Sequence, residues 1–257
     1  LSFRGAQVGL NGGMNLPTLQ VSMQAALTFG VACIISTGCA IHDADCCSED
    51  SSKPAAHAAP PNAKTNAPVA PQKASAPGDH FDGKTLQGWQ PTDFAGKGTV
   101  TVENGEIRIG LGYMTGITLT NTNDLPRMNY EVSLDAMRVD GSDFFCGLTF
   151  PVGKESCSLI VGGWGGGVVG LSSIDSEDAS QNETTSYMNF VNMKWFHIRV
   201  RVEPGKIQAW IDEERVVNLE TAEKRLGIRL EMESSTPLGI ATWNTAAAWK
   251  NIQIKKL

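Results

Sequence analysis

The chain has 257 residues, of which 41% are hydrophobic and 19% charged, and its formal net charge is −6. That length accommodates one or two domains of ordinary globular composition. The acidic balance excludes nucleic acid as a general partner, because phosphate binding needs a basic surface.

In chain order, Met14 to Gly38 carries no charged residue, and its apolar part, Ala25 to Ile35, has the length of an export-signal core. It is short for a permanent membrane span. Ser36-Thr37-Gly38-Cys39 follows, and small residues leading to a cysteine resemble the lipobox of bacterial lipoproteins. Cys39 is therefore the expected lipidation site of an exported, membrane-anchored protein facing the periplasm or cell surface. Cleavage without lipid and an uncleaved anchor are the other readings. Residues 40–78 are rich in Ala, Pro, Ser, Asn and Lys, without hydrophobic period, and read as a disordered tether. Residues 79–257 read as the folded domain.

Gly78 to Thr85 satisfies the pattern G-x-x-x-x-G-K-[ST] of phosphate-cradling loops. That chemistry needs a strand before the loop and a helix after it. No apolar strand precedes Gly78, Gly88 and Pro91 stop a helix, and Asp79 and Asp82 repel phosphate. The nucleotide reading is excluded.

Beyond it the chain alternates as a sheet protein does. Val100 and Val102, a turn at Asn104-Gly105, then Ile107 and Ile109 spell a hairpin. Ile117 and Leu119 mark another strand. Tyr130, Val132, Leu134 and Ala136 alternate with polar residues, and Phe144, Cys146, Leu148 and Phe150 are expected on one face. Ile198, Val200 and Val202 turn inward, with His197, Arg199 and Arg201 turned out. A second hairpin crosses Asp212–Glu214, and Gly239 to Leu257 supplies further strands. The only helical hint is a short turn near Ala222–Leu226. Many short strands with regular turn signals predict an all-β sandwich or jelly roll.

Several motifs carry candidate chemistry. "GGWGGGVVG", Gly162 to Gly170, contains G-x-G-x-x-G but opens no helix, so it is no dinucleotide site. Trp164 within it is either a platform for a sugar ring or a plug at the sandwich edge. Asp175, Glu177, Asp178 and Glu183 form an acidic loop that suits acid–base work, a hard divalent cation, or plain solvation. His197 is either a general base or a polar residue on a sheet face. Cys146 and Cys157 are expected on neighbouring strands, one diagonal apart, as a disulfide or as two buried thiols.

"FDGKTLQGW", Phe81 to Trp89, resembles the opening of the 3-keto-disaccharide hydrolase family. The resemblance continues through "VTVENGEIR", through "NMKWFHIRVRVEPGKIQAWIDEERVV" and into the closing "WKNIQIKKL", spanning Phe81 to Leu257. It implies a concanavalin- or laminin-G-like jelly roll. It also implies cleavage of glycosides already oxidised to a ketone at sugar carbon 3. The ketone acidifies the neighbouring C2–H, a base removes that proton, donors hold the enolate, and an acid protonates the leaving oxygen. The chain departs from the family pattern at Phe145-Cys146-Gly147, at Pro151, and over Cys157 to Gly162. A polar cleft floor becomes apolar and glycine-rich there.

Two functions follow as expectations. One is a hydrolase of 3-keto glycosides with His197 or Glu183 as base and Asp175 as acid or metal ligand. The other is a non-catalytic glycan- or surface-binding module, with Trp164 and Tyr187 as sugar contacts. A purely structural role in the cell envelope is a third reading.

Overall fold

A computed structural model describes residues 78–257. The export-like segment, Cys39 and the tether up to residue 77 lie outside the described residues. Fourteen strands form two antiparallel sheets of seven. The first sheet contains β1 (Trp89–Pro91), β4 (Met114–Leu119), β6 (Cys146–Val152), β7 (Glu155–Gly163), β8 (Val168–Ser172), β9 (Ser186–Tyr187) and β13 (Gly239–Trp243). Its order is β1-β4-β13-β6-β7-β8-β9. The second contains β2 (Val100–Glu103), β3 (Glu106–Ile109), β5 (Tyr130–Gly141), β10 (Trp195–Glu203), β11 (Lys206–Ile211), β12 (Glu214–Glu220) and β14 (Thr245–Lys256). Its order is β12-β11-β10-β5-β14-β3-β2. Strands distant in sequence are neighbours, as in a jelly roll: β13 lies between β4 and β6, and β14 between β5 and β3.

The hairpin at Asn104-Gly105 forms as expected, with both residues at positive φ. Tyr130, Val132, Leu134 and Ala136 are all buried in the core between the sheets, as are Ile198, Val200 and Val202. Trp249 is wholly buried there, and its Nε1–H donates to the Phe145 carbonyl at 2.9 Å. The stretch at Asp82 is a turn. The Asp82 carboxylate accepts the Lys84 and Thr85 N–H groups, both at 2.8 Å, while Trp89 is buried and bonds the His80 carbonyl.

Three expectations are corrected. Phe144 does not share a face with Cys146, Leu148 and Phe150. It precedes β6 and packs in a separate cluster outside the first sheet, while Phe145 enters the core. The turn near Ala222–Leu226 is confined to Ala222 and Glu223 and carries no helix, since Leu226 bridges Ile174; the helical element is a 3₁₀ helix at Leu230–Ser235. Cys146 and Cys157 do face inward together, but Cys146 is opposite Val161 and Cys157 opposite Phe150. That separation exceeds one diagonal, and both thiols are free and buried. Burial pushes the Cys157 thiol up to about 12 and raises Cys146 as well.

The two sheets differ in what covers them. In the second, β10 alternates buried and accessible residues, so its outer face meets water. In the first, β4, β7 and β8 are buried almost throughout. Its outer face carries a second apolar cluster that includes Phe94, Met114, Phe144, Ile160, Met232 and Ala241. Residues 227–237, a strap containing the 3₁₀ helix, supply part of the cover. The strap can approach because the sheet is bare beneath it. A Cβ on Gly239 would lie 2.6 Å from the Ser235 carbonyl oxygen, and one on Gly147 would lie 3.3 Å from Met232 Cε. Thr118 Oγ1 donates to the Ser234 carbonyl at 3.0 Å and fixes the strap.

Gly239→Ala is expected to lower stability by about 1–3 kcal/mol through this overpacking. Gly227→Ala, which meets open space, should stay within about 0.5 kcal/mol of the parent. Urea midpoints at unchanged m-value check both.

Candidate functional site

Where the strap meets the outer face of the first sheet it leaves a cavity of about 230 Å³. Met114, Ile160 and Met232 make an apolar floor, and Phe144, Trp164 and Trp243 make aromatic walls. Tyr113 stacks on Trp243 at a tilt, with ring centroids 4.4 Å apart. Asp143, Ser172, Arg229 and Glu231 are the polar members of the lining.

Each polar group has a definite state. The Asp143 carboxylate accepts the Phe144 N–H at 2.7 Å and the Gly165 N–H at 3.3 Å, which ties it to the loop of Trp164. Arg229 donates to both Glu231 oxygens, at 3.3 and 2.8 Å, and to Asp178 at 3.1 Å. The hydrogen bond from Arg229 is the main reason that the Glu231 carboxyl sits below the usual carboxylate range. Ser172 is 1% exposed, and its hydroxyl has no hydrogen-bond partner among the described residues. A buried hydroxyl without a partner is the exception in a folded protein, and Ser172 belongs to the lining of this cavity.

Trp164 sits in the tight β7–β8 turn with φ of 48° and is 44% exposed. A tryptophan in the left-handed region is disfavoured by roughly 1–2 kcal/mol, so the surrounding structure must hold it. Arg138 of β5 does this. Its guanidinium donates to the Gly166, Phe190 and Asp143 carbonyls, at 3.3, 2.5 and 3.5 Å, and to the Asn192 side chain at 2.7 Å. One cation thus ties together the Trp164 turn, the Asp143 loop and the segment after β9.

The other sequence candidates lie elsewhere. His197 is half exposed on the outer face of the second sheet. Its Nδ1 is 2.7 Å from Asp135 Oδ1, and Asn251 donates to the other Asp135 oxygen at 2.6 Å. Asp175 and Glu183 share Lys224 Nζ, at 3.5 and 2.5 Å. The Arg225 N–H, donating to Asp175 at 2.9 Å, is the largest cause of its lowered pKa. The acidic loop is thus an ion-paired surface, and among the described residues no three His, Cys or carboxylate side chains converge on a possible metal position. Tyr187 lies on edge strand β9 and is 75% exposed. Of the five candidates only Trp164 lines the cavity. Trp243, Asp143, Ser172, Arg229 and Glu231 drew no attention in the sequence. Nothing local marks them, because distant segments bring them together.

Two antiparallel seven-stranded sheets, one with a covered and hollowed outer face, define a concanavalin-like jelly-roll domain. The chain belongs to the 3-keto-alpha-glucoside-1,2-lyase-like domain family, whose profile matches residues 77–255. No curated protein sequence matches it. Among solved structures, a candidate glycosyl hydrolase from Parabacteroides distasonis is similar, with 15% identity, a TM-score of 0.45, and coverage of 69% of this chain and 92% of that one. The carbohydrate-binding module CBM66 from Bacillus subtilis shares 15% identity at a TM-score of 0.41, covering 66% and 96%. The Crh5 transglycosylase in complex with NAG shares 12% identity at a TM-score of 0.47, covering 68% and 80%.

The Arg229–Glu231 pair makes a pH prediction. A depressed carboxyl pKa adds stability that is present above the unfolded value and is lost as pH falls through the folded one. Glu231→Gln should therefore cost stability near neutral pH, and the gap to the parent should close below about pH 4. Urea denaturation across pH 3–7 measures it.

Proposed function

We propose that the cavity under the strap binds a sugar ring and that the domain is a carbohydrate-binding module built on its family's jelly roll. The observation that supports this is the lining: two tryptophans beside an unpartnered buried hydroxyl at Ser172. A sugar ring presents an apolar face of C–H groups and a rim of hydroxyls. Aromatic walls suit the first, and Ser172, Asp143 and Glu231 suit the second. The apolar floor at Ile160 supplies no base, and Arg229 already has carboxylate partners.

A second reading is favoured by family membership: cleavage of 3-keto glycosides by elimination. Asp143 is then the base, as the cavity carboxylate held by backbone N–H groups rather than by a cation. It takes the C2 proton, the electron pair forms the C1–C2 double bond, and the C1–O bond breaks. The leaving oxygen gains a proton, and water adds to the enone. His197, Glu183 and Asp175 do not line the cavity and have no part in that step. The export-like sequence before the domain supports work outside the cytoplasm, with Cys39 as a lipid anchor. Palmitate labelling that Cys39→Ser abolishes is the expected result, and labelling that persists would overturn the anchor.

The test uses the full chain with 3-keto-disaccharides and their unoxidised parents. Saturable binding to either form is expected, weakened at least about tenfold by Trp243→Ala. Unchanged affinity in Trp243→Ala would remove the cavity as the sugar site. Release of free sugar from the keto forms alone, lost in Asp143→Asn, would select the elimination reading.

A further inference from the structure

The aromatic wall of the cavity does not stop at Trp243. The ring of Tyr113 packs against it and stands outside the lining. Tyr113 is 55% exposed, and Leu111, two residues before it, is exposed as well. A single exposed apolar side chain needs no explanation. An exposed aromatic ring that continues a cavity wall is placed to meet whatever extends from the cavity. Among the described residues, Tyr113 and Tyr187 are the exposed aromatics outside the lining, and only Tyr113 has a ring contact with a lining residue.

Two other segments hold Tyr113 in place. Its N–H donates to the Gly96 carbonyl at 2.9 Å, and its carbonyl accepts the Asn244 N–H at 3.1 Å. Asn244 directly follows Trp243, so one stretch of chain carries the wall and fixes its extension. Residues 96–98 and 110–112 lie backbone against backbone. A Cβ on Gly98 would lie 2.5 Å from the carbonyl oxygens of Gly110 and Leu111, and one on Gly112 would run into the Gly98 nitrogen. The Gly98 N–H donates to Thr115 Oγ1 at 2.8 Å, which ties this double layer to β4. The result is a thin, fixed shelf that ends in Tyr113. A ring fixed in this way loses little freedom when a ligand lies on it, so contact there is not spent on ordering.

The size of the cavity says what reaches the shelf. At about 230 Å³ it falls below the roughly 300–1,000 Å³ of pockets that enclose a drug-sized ligand. It suits one sugar ring. A second ring, joined to the first through a single glycosidic oxygen, lies outside and beside it. We propose that Tyr113 is a specificity-determining residue, the platform for a second ring when the cavity holds the end ring of a glycan. The ligand class is then an oligosaccharide recognised from its terminus, and a disaccharide is the smallest unit that uses the whole site. The C–H face of the second ring lies on Tyr113, and its hydroxyls remain in water. The inference rests on the sugar reading of the cavity.

The test compares maltose with methyl α-glucoside, which share the non-reducing ring and its α linkage and differ in the second ring. Both are titrated calorimetrically into the full chain, unoxidised and oxidised at carbon 3 of the non-reducing ring, and are compared within the form that binds more tightly. Maltose should bind about tenfold more tightly than methyl α-glucoside. Tyr113→Ala should remove that preference and leave methyl α-glucoside within about twofold of the parent, which also shows that the variant is folded. Tyr113→Phe, which keeps the ring, should retain the preference. Trp243→Ala should weaken both probes. Equal affinity of the two probes for the parent, or a preference that survives Tyr113→Ala, would overturn the second subsite. Weakening of both probes by Trp243→Ala would then still uphold the cavity. Weakening of both by the same factor in Tyr113→Ala would show that Tyr113 only props Trp243, and would also overturn the subsite. Binding of neither probe in either form would overturn the cavity reading, and this proposal with it.

Discussion

The approach of the strap to the outer face of the first sheet is the contact on which the rest of the molecule's surface depends. A β-sheet normally bristles with side chains on both faces. At Gly147 and Gly239 this one has none; the backbone of Ser235 fills the space over Gly239, and the Phe144 ring with the end of Met232 fills that over Gly147. The strap then lies close enough for Thr118 to bond its Ser234 carbonyl. Once seated, it presents Arg229 and Glu231 to the cavity. Add a methyl group to the floor and the strap must lift, and that wall of the cavity moves with it.

The two sheets divide the work. The second is a half-wet sheet whose outer face is stitched by ordinary polar pairs. Glu131 takes Arg199 and Arg201, and Asp135 takes His197 and Asn251. Its inner face anchors the core through Trp249. The first sheet is buried on both faces and holds the hollow. Arg138 links the two: it grows from β5 in the second sheet and grips the turn of Trp164 on the first. Burial lowers its pKa, with the Asp143 charge opposing. A charge held in that way, with its donors on carbonyl groups, organises the loops that carry the aromatic walls.

Much of the fold was legible. Period-two alternation at Tyr130–Ala136 and Ile198–Val202 marked strands with one wet face, and Asn104-Gly105 marked its hairpin. The continuous apolar run from Leu159 to Val161 was legible as a floor that had lost polar groups, and it is a strand covered on both sides. The site was much less legible. Trp164 stood out because two glycines precede it and three follow it, and it does line the cavity. Trp243, Ser172 and Arg229 lie on three separate segments, and only the strand order β4-β13-β6-β7-β8 and the strap bring them together. His197 and the acidic loop attracted notice by residue type alone. Their partners, Asp135 and Lys224, lie at sequence distances that no local pattern spans. The strap itself was missed because its 3₁₀ helix is too short for a helical period, and its packing signal sits in the glycines of other strands.

The account stands or falls on where a sugar sits. The most direct measurement is a crystal structure of the protein with a bound 3-keto-disaccharide. The account predicts a ring against Trp243, bounded by Trp164 and Met232, with a hydroxyl in hydrogen-bond reach of Ser172. A sugar bound instead on the outer face of the second sheet, beside His197, with the cavity under the strap left to solvent, would contradict it.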